Sequence, residues 1–228
     1  MFDFLAGTVP RRELAWDCAT GNGQAAVGLA RVFGRVVATD ASAAQVRHAT
    51  PHPHVRYAVS RAEATGLRDG LCDIVTVAQA LHWIDRPTFY AEVRRLLAPQ
   101  GVLAVWCYGL LEIGPAIDAE LRRFYHDTVG PFWPPERRMI EDAYRSIEFP
   151  FTELTAPRFS IDRPLTLDGL IGYVRTWSAT RGYIARHHHD PVEDLLPRLR
   201  ELWGTADEPR LTRAPVYVRA GRVPVRTA

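Results

Sequence analysis

The sequence predicts an α/β protein, a doubly wound and mostly parallel sheet with extra cover helices between the late strands. Strand and helix patterns alternate from Leu14 to Cys107 at the spacing of βα units. The strands are short continuous apolar runs, as strands buried on both faces must be. Their carboxyl ends open into glycine-rich or acidic loops, where ligands of such sheets collect.

The first strand is Leu14-Ala15-Trp16-Asp17-Cys18, followed by the loop Ala19-Thr20-Gly21-Asn22-Gly23. A helix from about Gln24 to Phe33 places Ala25, Ala26, Leu29, Ala30 and Phe33 at helical spacing. Arg35 to Thr39 is the second strand and delivers Asp40; Ser42 then caps a helix running to about Ala49. Pro51-His52-Pro53 stops that helix before a strand at His54 to Val59. Ile74 to Ala78 is the next buried strand, and Asp85-Arg86-Pro87 starts another helix. Pro99-Gln100-Gly101 closes that helix, and Val102 to Cys107 forms the fifth strand. Beyond it the pattern is helical from Ile117 to Tyr144, interrupted by the rigid turn Gly130 to Pro135. Helices near Leu167 to Ser178 and Val192 to Trp203 precede a last strand, Leu211 to Arg219. No linker separates these helices from the sheet, so they read as cover within one domain.

At 228 residues and 47% hydrophobic content the chain suits one large globular domain. All 28 basic residues are arginine, spread along the chain and balanced by acids to a net charge of +2, which argues against a nucleic-acid partner. Cys18, Cys72 and Cys107 lie in or beside apolar strands without C-x-x-C spacing and read as buried hydrophobes in a reducing compartment, with neither zinc nor disulfides implied. No apolar run approaches the ~18 residues of a spanning helix, and Met1 to Leu5 lacks signal-peptide character, so the expected setting is cytoplasmic, off the membrane. His187-His188-His189 are consecutive, point in different directions on a helix and make no metal site. A monomer and a homodimer are equally compatible with the sequence.

The segment from Ala15 to Asp40 has the layout of a nucleoside-cofactor site. Glycines let the backbone approach a ligand, and the helix start offers unpaired N–H groups. Gly21 to Ala26 fits G-x-G-x-x-A, and Asp40 lies 19 residues after Gly21, where a dinucleotide site places its ribose-binding acid. Asp17 weighs against a dinucleotide, because a strand-tip carboxylate would face the pyrophosphate without a nearby cation. S-adenosylmethionine reverses that sign: its ammonium and sulfonium attract the acid, while Asp40 accepts from the ribose hydroxyls.

Four motifs in order then carry a family resemblance: Asp17-x-Ala19-x-Gly21-x-Gly23; Ala38-Thr39-Asp40-Ala41-Ser42-x-x-Gln45; Ala62-Glu63; and Cys72-Asp73-Ile74-Val75-Thr76-Val77-Ala78-Gln79-Ala80-Leu81-His82-Trp83. The chain resembles class I S-adenosylmethionine-dependent methyltransferases, most closely the UbiE-like branch that includes trans-aconitate methyltransferase. The likeness continues through Phe89-Tyr90-x-Glu92-Val93 and Gly101 to Trp106, and more faintly through Tyr173-x-x-Thr176-Trp177-Ser178 and Trp203-Gly204. It implies a Rossmann-like, seven-stranded sheet in a single domain over 1–228, with 1–110 the cofactor-binding half and 111–228 the helical cover and last strands. It further implies that Asp17, Ala19, Gly21 and Gly23, with Thr20 in the same loop, line the methionyl part of the donor. Asp40 takes the ribose, Ala41, Ala62 and Glu63 the adenine, and Gln79, Ala80 and Leu81 the side nearest the methyl group. Asp17 and Asp40 have a bland alternative as capping or loop acids, and Glu63 as an exposed acid.

On the acceptor side, His82 is the candidate base and Trp83 a candidate wall, with Tyr173, Arg175 and Trp177 on one later helix facing substrate; packing alone also accounts for each. Two features depart from the family pattern. Ala19 stands where the motif usually has its first glycine, adding a methyl and restricting a backbone that wants positive φ. Only Met1 to Arg12 precede the first strand, where the family carries one or two lid helices, and Phe2 to Ala6 resembles the tail of such a helix; either the start lies too far downstream, or the donor site is open, or a partner supplies the lid. The functional expectation is a methyltransferase for a small-molecule acceptor, a carboxylate or other oxygen. The rivals are an NAD(P)-binding oxidoreductase and a methyltransferase-like binding protein without turnover.

Overall fold

The computed structural model describes residues 1–224. They divide into two compact units: the first comprises Met1–Tyr108, Met139–Phe159 and the chain from Tyr217, the second Gly109–Arg138 and Ser160–Val216.

The first unit holds strands β1 (Leu14–Cys18), β2 (Arg35–Asp40), β3 (Val55–Val59), β4 (Cys72–Ala78), β5 (Leu97–Tyr108) and β6 (Thr152–Leu154). Its helices are α1 (Phe2–Gly7), α2 (Gln24–Leu29), α3 (Ala43–Arg47) and α4 (Arg86–Leu96). α5 (Pro115–Arg123) follows in the second unit, and α6 (Arg137–Glu141) spans the boundary. β7 (Phe159–Leu165), α7 (Leu167–Arg175), α8 (Ser178–His187) and α9 (Val192–Trp203) come next, and β8 (Arg210–Arg222) leads back into the first unit.

The strands are ordered β3-β2-β1-β4-β5-β8-β6, with β7 pairing β8. β1 pairs in parallel with both β2 and β4, so the order reverses there and the loops after these strands frame a crevice. β6 runs antiparallel to β8. β1 and β4 are buried almost throughout, as their unbroken apolar runs require. The buried carboxylate of Asp73 fixes the start of β1 by accepting from the N–H groups of Glu13 and Leu14 at 2.8 and 3.1 Å. α1 packs Leu5 and Ala6 inward, and Phe2 lies against Gly28, where a Cβ would come within 2.3 Å of the ring; this accounts for a glycine inside α2.

The predicted doubly wound sheet is present, with four departures in detail. Among the described residues the sheet has eight strands, the six read as apolar runs plus β6 and β7, which fall where the sequence shows no strand signal. α2 stops at Leu29, and the chain reaches the buried Phe33 through tighter turns. Pro99-Gln100-Gly101 does not separate helix from strand: β5 begins at Leu97 opposite Cys72, Ala98 to Gly101 bulge out with Gln100 at φ 63, and pairing resumes at Val102 opposite Ile74. The predicted helix Leu167–Ser178 ends at Arg175 and is followed by a separate helix, α8.

Within the second unit α9 packs on α5 and α7, burying Ile117, Leu121, Leu170, Val174, Leu195 and Leu199. After α5 the backbone passes through a π-helical turn, Phe124–Thr128, and a 3-10 turn, Gly130–Phe132.

Candidate functional site

β1 ends in a fully buried carboxylate. Asp17 accepts from Thr20 Oγ1 at 2.5 Å and from Thr76 Oγ1 at 2.8 Å, and the Ala26 N–H in the first turn of α2 also reaches it. Burial nevertheless dominates and pushes its pKa up to about 6, with the charge of Asp40 adding to the rise. One donor at the helix start, the Ala26 N–H, therefore serves an acid of the protein itself.

The loop above Asp17 is shaped by its backbone. Ala19 lies at φ 54, Gly21 at 57 and Gly23 at 88. A Cβ on Gly23 would stand 2.2 Å from the Tyr57 hydroxyl, which is held by the Thr50 carbonyl at 2.8 Å, so only glycine fits. Ala19 adopts the left-handed conformation that its position in the motif demands, and does so with a side chain that disfavours it. Thr20 N–H donates to the Thr39 carbonyl and Gly21 N–H to Asp40 Oδ2, both at 2.9 Å, tying the loop to the end of β2. Asp40 Oδ1 accepts from Ser42 N–H at 2.8 Å. Each carboxylate oxygen keeps a second lone pair, enough for a vicinal diol.

A cavity of about 390 Å³ opens above these strand ends. Ala19, Asp40 and Ala41 line it on one side, Ser60, Arg61, Ala62 and Glu63 on another, and Ala80, Trp83 and Ile84 close the third. The size suits a small-molecule ligand. Glu63 is tied down rather than loose: it pairs with Arg61 at 3.4 Å and accepts from Asp85 N–H at 3.3 Å. The segment behind it is anchored by Glu92, which accepts from both the N–H and hydroxyl of Thr65 at 2.9 Å and pairs with Arg95 at 2.7 Å. These bonds hold the Glu92 carboxyl at a pKa of about 2.

Of the residues singled out from sequence, Ala19, Asp40, Ala41, Ala62, Glu63, Ala80 and Trp83 meet at this cavity. Asp17, Thr20, Gly21 and Gly23 form its supporting loop. Gln79, at φ 55, turns its side chain back to accept from Tyr108 N–H at 2.9 Å, and Leu81 is wholly buried. The 3-10 turn Leu81–Trp83 sends its residues in different directions: His82 is only 6% exposed, with Nδ1 2.9 Å from the Tyr144 hydroxyl, whereas Trp83 is 60% exposed. Ser60, Arg61 and Ile84 went unremarked in the sequence; Ser60 was findable as the residue that follows β3.

Tyr173, Arg175 and Trp177 belong to the second unit. Trp177 is buried in an aromatic cluster, 5.6 Å from Tyr125, 5.8 Å from Trp133 and 5.8 Å from Tyr173, so it packs as core there. Arg175 pairs with Asp190 and Glu193. His189 pairs with Asp194, His188 ends α8 at φ 54, and His187 stacks on Tyr183. Among the described residues no three His, Cys, Asp or Glu side chains gather as a metal site, and no helix is long and apolar enough to cross a membrane.

Residues 16–105 match the methyltransferase domain family. A Dictyostelium discoideum protein named as a methyltransferase is 36% identical over 200 residues, covering 86% of this chain and 76% of that protein. The chain belongs to the class I S-adenosylmethionine-dependent methyltransferases. A solved structure from Anaeromyxobacter dehalogenans, described as a type II methyltransferase, shares 43% identity and superposes with a TM-score of 0.93 over 97% of this chain and 94% of that one. The methyltransferase cfoB of Aspergillus candidus is 32% identical over 161 residues, 60% of this chain and 50% of that protein. Class I methyltransferases generally bind S-adenosylmethionine.

Proposed function

We propose that this methyltransferase binds S-adenosylmethionine in the cavity above β1, β2 and β4 and methylates a small-molecule acceptor, a carboxylate or other oxygen, as the likeness to the UbiE-like and trans-aconitate branch suggests. The observation that carries the reading is the half-buried Asp40 carboxylate beside Ala41, Ala62 and Glu63 in a cavity of about 390 Å³. Asp40 holds the ribose diol, Ala41 and Ala62 pack the adenine with Glu63 at its edge, and Ala19 and Ala80 flank the methionyl portion. Asp17 supports the loop and adds negative potential beneath a cationic donor. When bound, the donor supplies an activated methyl group on a sulfonium, transferred by in-line displacement. The chain's residues need then only align the partners and exclude water.

His82 is read as part of the loop's internal structure. A carboxylate acceptor fits that reading, since it has no proton to lose before attack. Three buried free cysteines suit a reducing, cytoplasmic setting.

Calorimetric titration with S-adenosylhomocysteine and, separately, NADH tests the proposal. The first should bind and the second not, and Asp40→Ala should cost about 1.5–3 kcal/mol, roughly 10- to 150-fold in affinity. Tight NADH binding, or an Asp40→Ala variant with unchanged affinity, would overturn it. Binding without transfer to any acid, phenol, amine or quinone precursor would identify a binding protein without turnover.

A further inference from the structure

Tyr144 is wholly buried and reaches the loop after β4 from a turn 62 residues away from His82. Its hydroxyl lies 2.9 Å from His82 Nδ1, and the backbone N–H groups of Leu81 and His82 are directed at the same oxygen. A phenol that donates to Nδ1 holds that nitrogen unprotonated and leaves the ring hydrogen on Nε2. Burial raises the phenol's pKa well above its ordinary value, so it stays a donor.

The turn that presents Tyr144 is held from behind. Ala143 and Tyr144 lie at φ 59 and 60, consecutive side-chain-bearing residues in the left-handed region. Arg219 on β8 donates to the carbonyls of Tyr144 and Ile147 at 2.7 Å, pairs with Glu153 at 2.6 Å and lies 4.7 Å from the Phe149 ring centre. Backbone of this kind persists only where its surroundings over-determine it, and such places cluster at functional sites. On the far side of the contact is the cavity wall. Trp83 N–H donates to the Ala80 carbonyl at 2.9 Å, so the turn gripped by Tyr144 is the one that places Ala80, Trp83 and Ile84.

We propose that Tyr144 is a positioning residue for the donor cavity: its hydroxyl locks the Leu81–Trp83 turn and so sets the wall formed by Ala80, Trp83 and Ile84, without touching the ligand. The inference rests on the donor reading of that cavity. Tyr90 supplies a matched control, because it is also buried and its hydroxyl anchors the Glu148 carbonyl at 2.8 Å, yet it makes no bond to the 81–83 turn.

The test compares wild type, Tyr144→Phe and Tyr90→Phe by S-adenosylhomocysteine titration and by ¹⁵N-histidine spectra, with the His82 signals assigned by their loss in His82→Leu. Both phenylalanine variants should lose stability. Only Tyr144→Phe should lose at least tenfold in affinity, together with the change in donor-induced Trp83 fluorescence and the single-tautomer signature of His82. His82→Leu removes the acceptor from the other side, should reproduce the affinity loss, and decides the matter should Tyr144→Phe fail to fold. Equal affinities for Tyr144→Phe and Tyr90→Phe in a background where wild type binds would overturn the positioning role alone. A wild-type chain that binds no S-adenosylhomocysteine would overturn the donor reading and the positioning role with it.

Discussion

Replacing Asp17 by Asn removes a charge from the interior while nearly preserving its shape. Burial lifts the wild-type carboxyl to a pKa of about 6 in the fold, from an ordinary value of 3.8. Between those values the native state binds more protons than the unfolded one, so this group's contribution to stability falls as pH rises. That rise corresponds to about 3 kcal/mol of destabilisation at neutral pH and about 1 kcal/mol near pH 4.5. Asn is uncharged at both values but leaves one of the three donors, from Thr20, Thr76 and Ala26, poorly matched, at a cost of about 1 kcal/mol. Urea unfolding of wild type and Asp17→Asn at both pH values isolates the group, because every other titration is shared. The variant should be more stable by about 2 kcal/mol near pH 7.5 and equal to wild type near pH 4.5. It should also bind cationic S-adenosylmethionine more weakly relative to neutral S-adenosylhomocysteine. Parallel stability curves would refute the buried-charge argument, and equal losses for both ligands would show that Asp17 is purely structural.

Two further substitutions probe the frame around the cavity. Ala19→Gly relieves a side chain at φ 54 but frees the unfolded chain, for a net gain of about 0.5–1 kcal/mol, read as a rise in melting temperature; a fall would mean that the Ala19 methyl is needed for packing. Glu92→Gln should cost about 2–3 kcal/mol at neutral pH. Because the folded Glu92 pKa is depressed to about 2, its contribution is present above the unfolded value near 4.5 and is lost as pH falls toward 2; wild type and variant should therefore converge in acid unfolding, and a constant gap would refute the assignment.

The first half of the molecule was legible because its signals are local. Buried strands read as apolar runs, Gly21 and Gly23 mark the positive-φ loop, Ser42 caps α3 through Gln45 N–H, and Asp40 follows the end of an apolar strand. The second half hides its structure. β6 is only three residues, β7 is exposed along most of its length and contains Pro164, and α8 buries only Ala179 and Thr180, so none shows the expected periodicity. Position in the chain put His82 on an edge loop, but which way it faces depends on a 3-10 turn and on Tyr144, and no sequence pattern near His82 encodes a partner 62 residues away.

The cavity above β1, β2 and β4 is built largely from backbone conformation and small side chains, with Ala19, Ala41, Ala62 and Ala80 on its lining and left-handed residues at the ends of two adjacent strands, Ala19 after β1 and Gln79 after β4. Such a surface suits a ligand that is the same in every turnover. The polar groups that shape it are mostly committed to the protein itself: Asp17 to Thr20 and Thr76, Gln79 to Tyr108, and His82 to Tyr144. On the proposed reading, the chemistry is supplied by the reactivity of the two ligands and by how rigidly the walls align them. This is why the loss of a hydroxyl that touches neither ligand, that of Tyr144, is expected to weaken donor binding as a first-order effect.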